Sequence, residues 1–117
     1  HEFFERDGDD LACELPIPFA KAALGGEAEV PLLEGGSLSF KVPAGSQPGK
    51  VLRLKGKGVP SLRGSGRGDL LVHLTVSVPT KLNAREKQLL EDFAKESGDT
   101  SKPRKKGIVE KARQFFE

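Results

Sequence analysis

From Leu70 to Val78 the side chains fall into two alternating sets. Leu70, Val72, Leu74, Val76 and Val78 form one, and Leu71, His73, Thr75 and Ser77 the other. A strand repeats every two residues, so nine residues of this pattern require a sheet with one face on a core. Antiparallel pairing suits such a sheet, because its second face can meet water. The same period recurs upstream at shorter length. Leu11, Cys13, Leu15 and Ile17 alternate with Ala12, Glu14 and Pro16, and Leu38, Phe40 and Val42 with Ser37, Ser39 and Lys41. Ala28, Val30 and Leu32 mark a further strand, extending to Leu33, and Leu52 and Leu54 another, opposite Val51, Arg53 and Lys55. Pro31 cannot donate to a ladder, so its strand belongs at a sheet edge.

Proline and glycine punctuate these runs. Pro18 followed by Phe19-Ala20-Lys21-Ala22-Ala23-Leu24 and closed by Gly25-Gly26 favours one or two turns of helix. Glu34-Gly35-Gly36 signals a hairpin, and Ala44 to Gly49 a second turn. Five strands at short spacing, with Gly/Pro turns between them, predict a mainly β fold: a small antiparallel β-sandwich with one short helix. The period then changes to that of a helix. Asn83 with Glu86 three residues on resembles a capping box, Leu89, Leu90, Phe93 and Ala94 follow at helical spacing, and Gly98 is a natural stop. Residues 99–107 have linker composition. Ile108, Val109, Ala112, Phe115 and Phe116 form a last amphipathic stripe. The expected organisation is therefore a β-domain over residues 1–80 and a C-terminal helical segment over 81–117.

Charge is divided sharply along the chain. Residues 1–34 carry nine acids and two bases, residues 35–68 seven bases and no acid, and the remainder is nearly balanced. A nucleic-acid binder spreads one dominant positive field over its face. Here equal and opposite segments follow one another, which predicts neutralisation between neighbouring strands. The basic stretch also lacks the interleaved aromatics that single-stranded nucleic acid stacks on, so nucleic-acid binding is disfavoured. With seven Phe and no Trp, Tyr or Met, the core must be mainly aliphatic. Cys13 is the lone cysteine, so neither an internal disulfide nor a cysteine-based zinc site is available.

Chemistry-bearing motifs are sparse. Lys55-Gly56-Lys57-Gly58 lacks the following helix N-terminus that a phosphate loop needs. Arg67-Gly68-Asp69 has the residue types of a turn, in which Asp69 can bond its own backbone. His73 is the sole internal histidine, and nothing in the sequence supplies it with a catalytic partner. No enzymatic activity is expected. No run approaches the roughly 20 apolar residues of a membrane span, and no signal peptide opens the sequence. The first residues lack Met and read as the interior of a longer chain. A piece of a cytoplasmic protein is the expectation.

Taken in order, Phe4, Arg6-Asp7-Gly8, Asp10-Leu11, Ile17, Ala22-Ala23-Leu24-Gly25 and Val30-Pro31 resemble the DnaJ co-chaperones. So do Val42-Pro43-Ala44-Gly45-Ser46-Gln47-Pro48-Gly49, the run from Leu52 to Pro60, Gly68-Asp69-Leu70 and Val78-Pro79. The likeness is to their second C-terminal β-domain and covers residues 1–98; the tail resembles bacterial members more loosely. It implies roles in protein folding and the stress response, binding of non-native polypeptide, transfer to a DnaK-type chaperone through the full-length protein, and homodimerisation. It also implies that the J-domain and the zinc-binding cysteine region lie elsewhere, leaving no cofactor here. By position, Ile17, Phe19, Val30, Leu32 and Leu38 match the client groove of the related first β-domain. Leu89, Leu90, Phe93, Ile108, Val109, Phe115 and Phe116 are the candidates for dimerisation. A purely structural dimerisation module without client contact is the alternative.

Overall fold

The computed structural model describes residues 3–62, 64 and 66–98. Six strands and two helices follow in the order β1 (Glu5–Asp7), β2 (Asp10–Pro18), α1 (Phe19–Leu24), β3 (Gly26–Pro31), β4 (Ser37–Val42), β5 (Val51–Leu54), β6 (Leu70–Ser77) and α2 (Ala84–Ser97). The chain divides into two compact units, His1–Thr80 and Lys81–Glu117. All six strands and α1 lie in the first.

That unit holds two sheets. Four strands pair in the order β1-β2-β6-β5, and β3 pairs with β4 in a separate two-stranded sheet. The mainly β fold expected from the alternation is present, with one difference at its centre. β6 pairs antiparallel with β5 but parallel with β2, matching Leu11 to Leu70, Cys13 to Val72 and Ile17 to Val76. Parallel neighbours need a long crossover. Here α1, the β3–β4 hairpin and β5 all lie within it. Alternation reports which face is buried and is silent on strand direction, so the sequence could not distinguish the two pairings.

The faces fall as the period requires. Leu11, Cys13 and Ile17 of β2 and Leu70, Val72 and Leu74 of β6 point into one core with Phe4, Ala22, Val30, Phe40 and Val42. Leu70, Val72, Leu74 and Val30 are completely enclosed. Each such side chain contributes about 1.5–3 kcal/mol through burial, so these few positions carry much of the driving force. Val78 departs from the expectation: it follows the last residue of β6 and is exposed. β1 was not expected at all, because Glu5, Arg6 and Asp7 are all exposed and show no apolar period. It exists because Gly8, at φ +63°, turns the chain back so that Arg6 pairs with Leu11.

β3 begins at Gly26 and ends at Pro31, so Leu32 and Leu33 fall in the turn and not in the strand. The turn closes with Leu32 N–H donating to Gly36 O and Gly35 N–H to Leu32 O, both at 3.0 Å. Both strands of this sheet have an unpaired edge, consistent with Pro31 in β3. Glu27 of the acidic stretch stands directly opposite Lys41 of the basic one. At its base the hairpin is tied to α1. Gly45 N–H donates to Ala23 O and Ser46 N–H to Ala22 O, at 3.1 and 2.9 Å, and Lys21 Nζ donates to Glu27 O at 2.7 Å.

The loop between β5 and β6 is fastened backbone to backbone. Gly58 N–H donates to Gly68 O, Gly68 N–H to Val59 O, Val59 N–H to Asp9 O and Leu11 N–H to Asp69 O, all within 2.8–3.0 Å. Three chain segments therefore meet with no room for side chains. A Cβ on Gly68 would stand 2.0 Å from the Asp9 carbonyl oxygen, and one on Gly58 2.5 Å from the same atom. Gly64, in the same loop, has nothing within 4 Å of such a position. Gly68→Ala is thus expected to cost at least about 2 kcal/mol by overpacking against backbone, while Gly64→Ala stays within about 0.5 kcal/mol of the parent. Urea unfolding of both variants checks this, and equal midpoints would contradict the close packing.

Candidate functional site

Of the five positions proposed for client contact, the structure brings three together and leaves two outside that group. Val30 stands directly opposite Leu38 in the β3–β4 pair. Both join Ile17 in the core cluster, where Ile17 and Val30 are closed off from solvent and Leu38 is half-buried. Phe19, the first residue of α1, is 37% exposed, and Leu32, just past β3, is half-buried. Ile17 and Val30 can only form a floor. Phe19, Leu32 and Leu38 are the members that a second molecule can touch.

Leu32 opens onto a cleft of about 110 Å³, shared with Glu34, Gly56, Lys57 and Arg67. The hairpin turn and the basic loop form its two sides. A larger concavity of about 470 Å³ lies elsewhere, lined by Phe3, Glu5, Ala12, Cys13, Glu14 and His73. Ala12, Glu14 and His73 occupy the alternate positions of their strands, on the face turned away from the core, with Glu14 opposite His73. That concavity carries two carboxylates and an imidazole, and the cleft beside Leu32 is charged as well, through Glu34, Lys57 and Arg67. Cys13 is buried, and desolvation pushes its thiol upward from the ordinary value, the opposite of what a reactive thiolate requires. Among the described residues no group of three or more His, Cys, Asp or Glu could hold a metal ion. None of the described helices is long and apolar enough to cross a membrane.

The basic loop is held by a carboxylate that sequence reasoning placed wrongly. Asp69 was expected to bond within its own turn. Instead it reaches across the loop, its Oδ1 accepting from Gly56 N–H at 2.9 Å and its Oδ2 from Arg53 Nη1 at 2.7 Å. The Gly56 N–H, and then the Arg53 guanidinium, hold its carboxyl below the usual aspartate range. Asp10 supports it from the other side, its Oδ1 accepting from Asp69 N–H at 2.7 Å. Arg67 donates through Nε and Nη2 to Gly58 O, at 3.2 and 2.8 Å, and through Nη1 to the Glu34 carboxylate. Asp69, Arg67 and Glu34 give no sequence signal of these roles, because each partner lies 9 to 59 positions away.

In the second unit, α2 begins with the predicted capping box: Glu86 N–H donates to Asn83 Oδ1 at 2.8 Å and Asn83 N–H to Glu86 Oε1 at 2.9 Å. Gly98 N–H closes the other end on Ala94 O. No residue of α2 is buried. Leu89 and Phe93, one turn apart, are 50% and 58% exposed, and Leu90 is half-buried. Ile108, Val109, Phe115 and Phe116, with the linker over 99–107, lie outside the described residues.

The first unit is thus a β unit of two sheets, and the second opens with a capped amphipathic helix. The DnaJ C terminal domain family matches residues 1–79, and the Chaperone protein DnaJ C-terminal region family matches residues 85–117. The chain belongs to the DnaJ C-terminal domain family. It is 53% identical over 116 residues to the chaperone protein DnaJ of Opitutus terrae, covering 99% of this chain and 30% of that relative. It is 50% identical over 117 residues to that of Cereibacter sphaeroides, and 51% identical over 120 residues to that of Burkholderia pseudomallei. These matches cover all of this chain and 30% and 32% of the respective relatives. The chain thus spans about three tenths of the length of the curated relatives it matches.

The Asp69 geometry has a consequence in acid. A carboxyl held below its unfolded value stabilises the fold above that value, about 3.9 for aspartate. The contribution disappears as pH falls through the depressed folded value. Asp69→Asn can still accept from Gly56 but carries no charge to lose. Below about pH 4 the parent's urea midpoint is therefore expected to fall more steeply than that of the variant. Parallel acid limbs would show that Asp69 does not contribute.

Proposed function

We propose that this chain binds non-native polypeptide along the free edge of β3 and pairs with a second copy through its C-terminal helices. The whole protein would then pass the client to a DnaK-type chaperone. One observation carries the first part: among the described residues β3 has an unpaired edge, with the partly exposed Leu32 just past its end and the half-buried Leu38 on its partner strand. An extended segment can add as a third strand, its backbone satisfied by the edge and its alternate side chains lodged on those apolar groups. Ile17 and Val30 support this surface from beneath. The role is one of binding, without catalysis, and we assign it no cofactor.

Two substitutions on neighbouring positions separate binding from folding. Leu32→Ser is expected to weaken affinity for a permanently unfolded, reduced and alkylated polypeptide several-fold while leaving the melting temperature nearly unchanged. Val30→Ser should instead destabilise the fold by about 2–4 kcal/mol, since it removes a fully enclosed side chain and buries a hydroxyl. Calorimetric titration and thermal melts of both variants provide the check. Unaltered affinity in Leu32→Ser would remove this edge as the site.

Pairing of two copies rests on the apolar side chains that α2 leaves uncovered, Leu89 and Phe93 above all. A self-complementary contact about a two-fold axis is the usual solution for such a stripe. The sequence adds Ile108, Val109, Phe115 and Phe116 to the same segment. Replacing Leu89 and Phe93 together by Asp, or Phe115 and Phe116 together by Asp, is expected to weaken the dimer more than tenfold. Light scattering across a concentration series measures this, and a parent that is monomeric at high micromolar concentration would contradict the pairing. The same uncovered helix supports the alternative of a dimerisation module that never meets client. That alternative predicts no chemical-shift change in β3 or β4 on adding unfolded polypeptide.

A further inference from the structure

The β3–β4 hairpin is anchored unevenly. Its base is bonded to α1, and its strands are held in the core from Val42 at the base through Phe40 to Val30, one pair short of the strand ends. Residues 33–37, at the tip, are all exposed. Two-stranded hairpins are marginal on their own in water, so the position of the tip depends on whatever holds it from outside. Its local bonds, Leu32 N–H to Gly36 O and Gly35 N–H to Leu32 O, shape the turn without fastening it to anything else.

We propose that Arg67 is a positioning residue that clasps the hairpin tip through Glu34 and thereby sets Leu32 against its cleft. The guanidinium is itself well held. Nε and Nη2 both donate to Gly58 O, and Gly58 is locked in turn by its N–H on Gly68 O and by backbone on all sides. A planar fork seated on a fixed carbonyl has already lost most of its side-chain freedom, so its remaining Nη1 meets Glu34 at little further entropic cost. Glu34 in turn stands two residues from Leu32, and Leu32, Glu34 and Arg67 line one cleft. The clasp therefore joins the loop of the large sheet to the tip of the small one. Its relevance to polypeptide binding rests on the β3 edge being the client site.

The pair is partly solvated, with Arg67 31% and Glu34 64% exposed in their side chains. Losing it should therefore open the turn roughly two- to five-fold, the range of surface ion pairs, and added salt should mimic the loss. Hydrogen exchange at the Leu32 and Gly35 amides reads this in the full chain. In Arg67→Gln both amides should exchange two- to five-fold faster at low salt, and the difference from the parent should shrink in 1 M salt. Glu34→Gln, at an exposed position with no folding role, should reproduce the effect, and the double variant should be no faster than either single one. Arg67→Lys keeps the charge but lacks the fork on Gly58, so it should restore only part of the protection. Affinity for the reduced, alkylated polypeptide should fall about two-fold or more in Arg67→Gln and Glu34→Gln. Unchanged exchange in both would overturn the clasp. Faster exchange with unchanged affinity, while Leu32→Ser weakens binding, would overturn the positioning role. Unchanged affinity in Leu32→Ser would instead overturn the client site, and the role with it, with the exchange data still reporting the clasp itself.

Discussion

The parallel pairing of β2 with β6 is the contact on which the rest of the first unit depends. Eight residue pairs, from Leu11 with Leu70 to Pro18 with Ser77, zip the two longest strands together. They line up the alternating side chains that supply most of the enclosed core. Every other element is placed relative to this pair. β1 folds back onto β2, β5 lies against β6, and α1 grows directly from the end of β2. The small sheet caps the apolar face that the pair presents.

That face explains why the hairpin can be both attached and available. Val30, Phe40 and Val42 hold it to the core, and this burial is incompatible with binding anything else. What remains accessible is the backbone edge and the side chains at the margin. This division along one short strand follows from its pleat: one face is enclosed in the core and the other stays open to solvent.

Much of this architecture is legible in the amino-acid sequence, for identifiable reasons. The faces of β2, β4 and β6 follow from two-residue alternation, the limits of α1 from Pro18 and Gly25, and the start of α2 from Asn83 and Glu86. All of these are local signals. The direction of β2 relative to β6 is not local, and alternation carries no information about it. β1 escaped notice because it has no apolar side to reveal it. Among the candidate client positions, the family resemblance points to Ile17 and Val30, and alternation cannot show that both are enclosed, because it marks apolar strand positions without their depth. The roles of Arg67, Glu34 and Asp69 depend on where a long glycine-rich loop lands, which only the assembled backbone determines. The motif that contains two of them, Arg67-Gly68-Asp69, gains its meaning from Gly68, the point at which two segments touch.

The separation between paired strands bears on how the chain comes to be folded. Asp10 and Asp69, at the head of the parallel pair, are bonded across 59 positions. During synthesis at about 5–20 residues per second, β2 must wait roughly 3–12 s after it is made before its neighbour exists. Pairings so distant in sequence close slowly. Throughout that interval Leu11, Cys13, Leu15 and Ile17 lack their native partner strand. For those seconds one face of β2 stands without the strand that later encloses it.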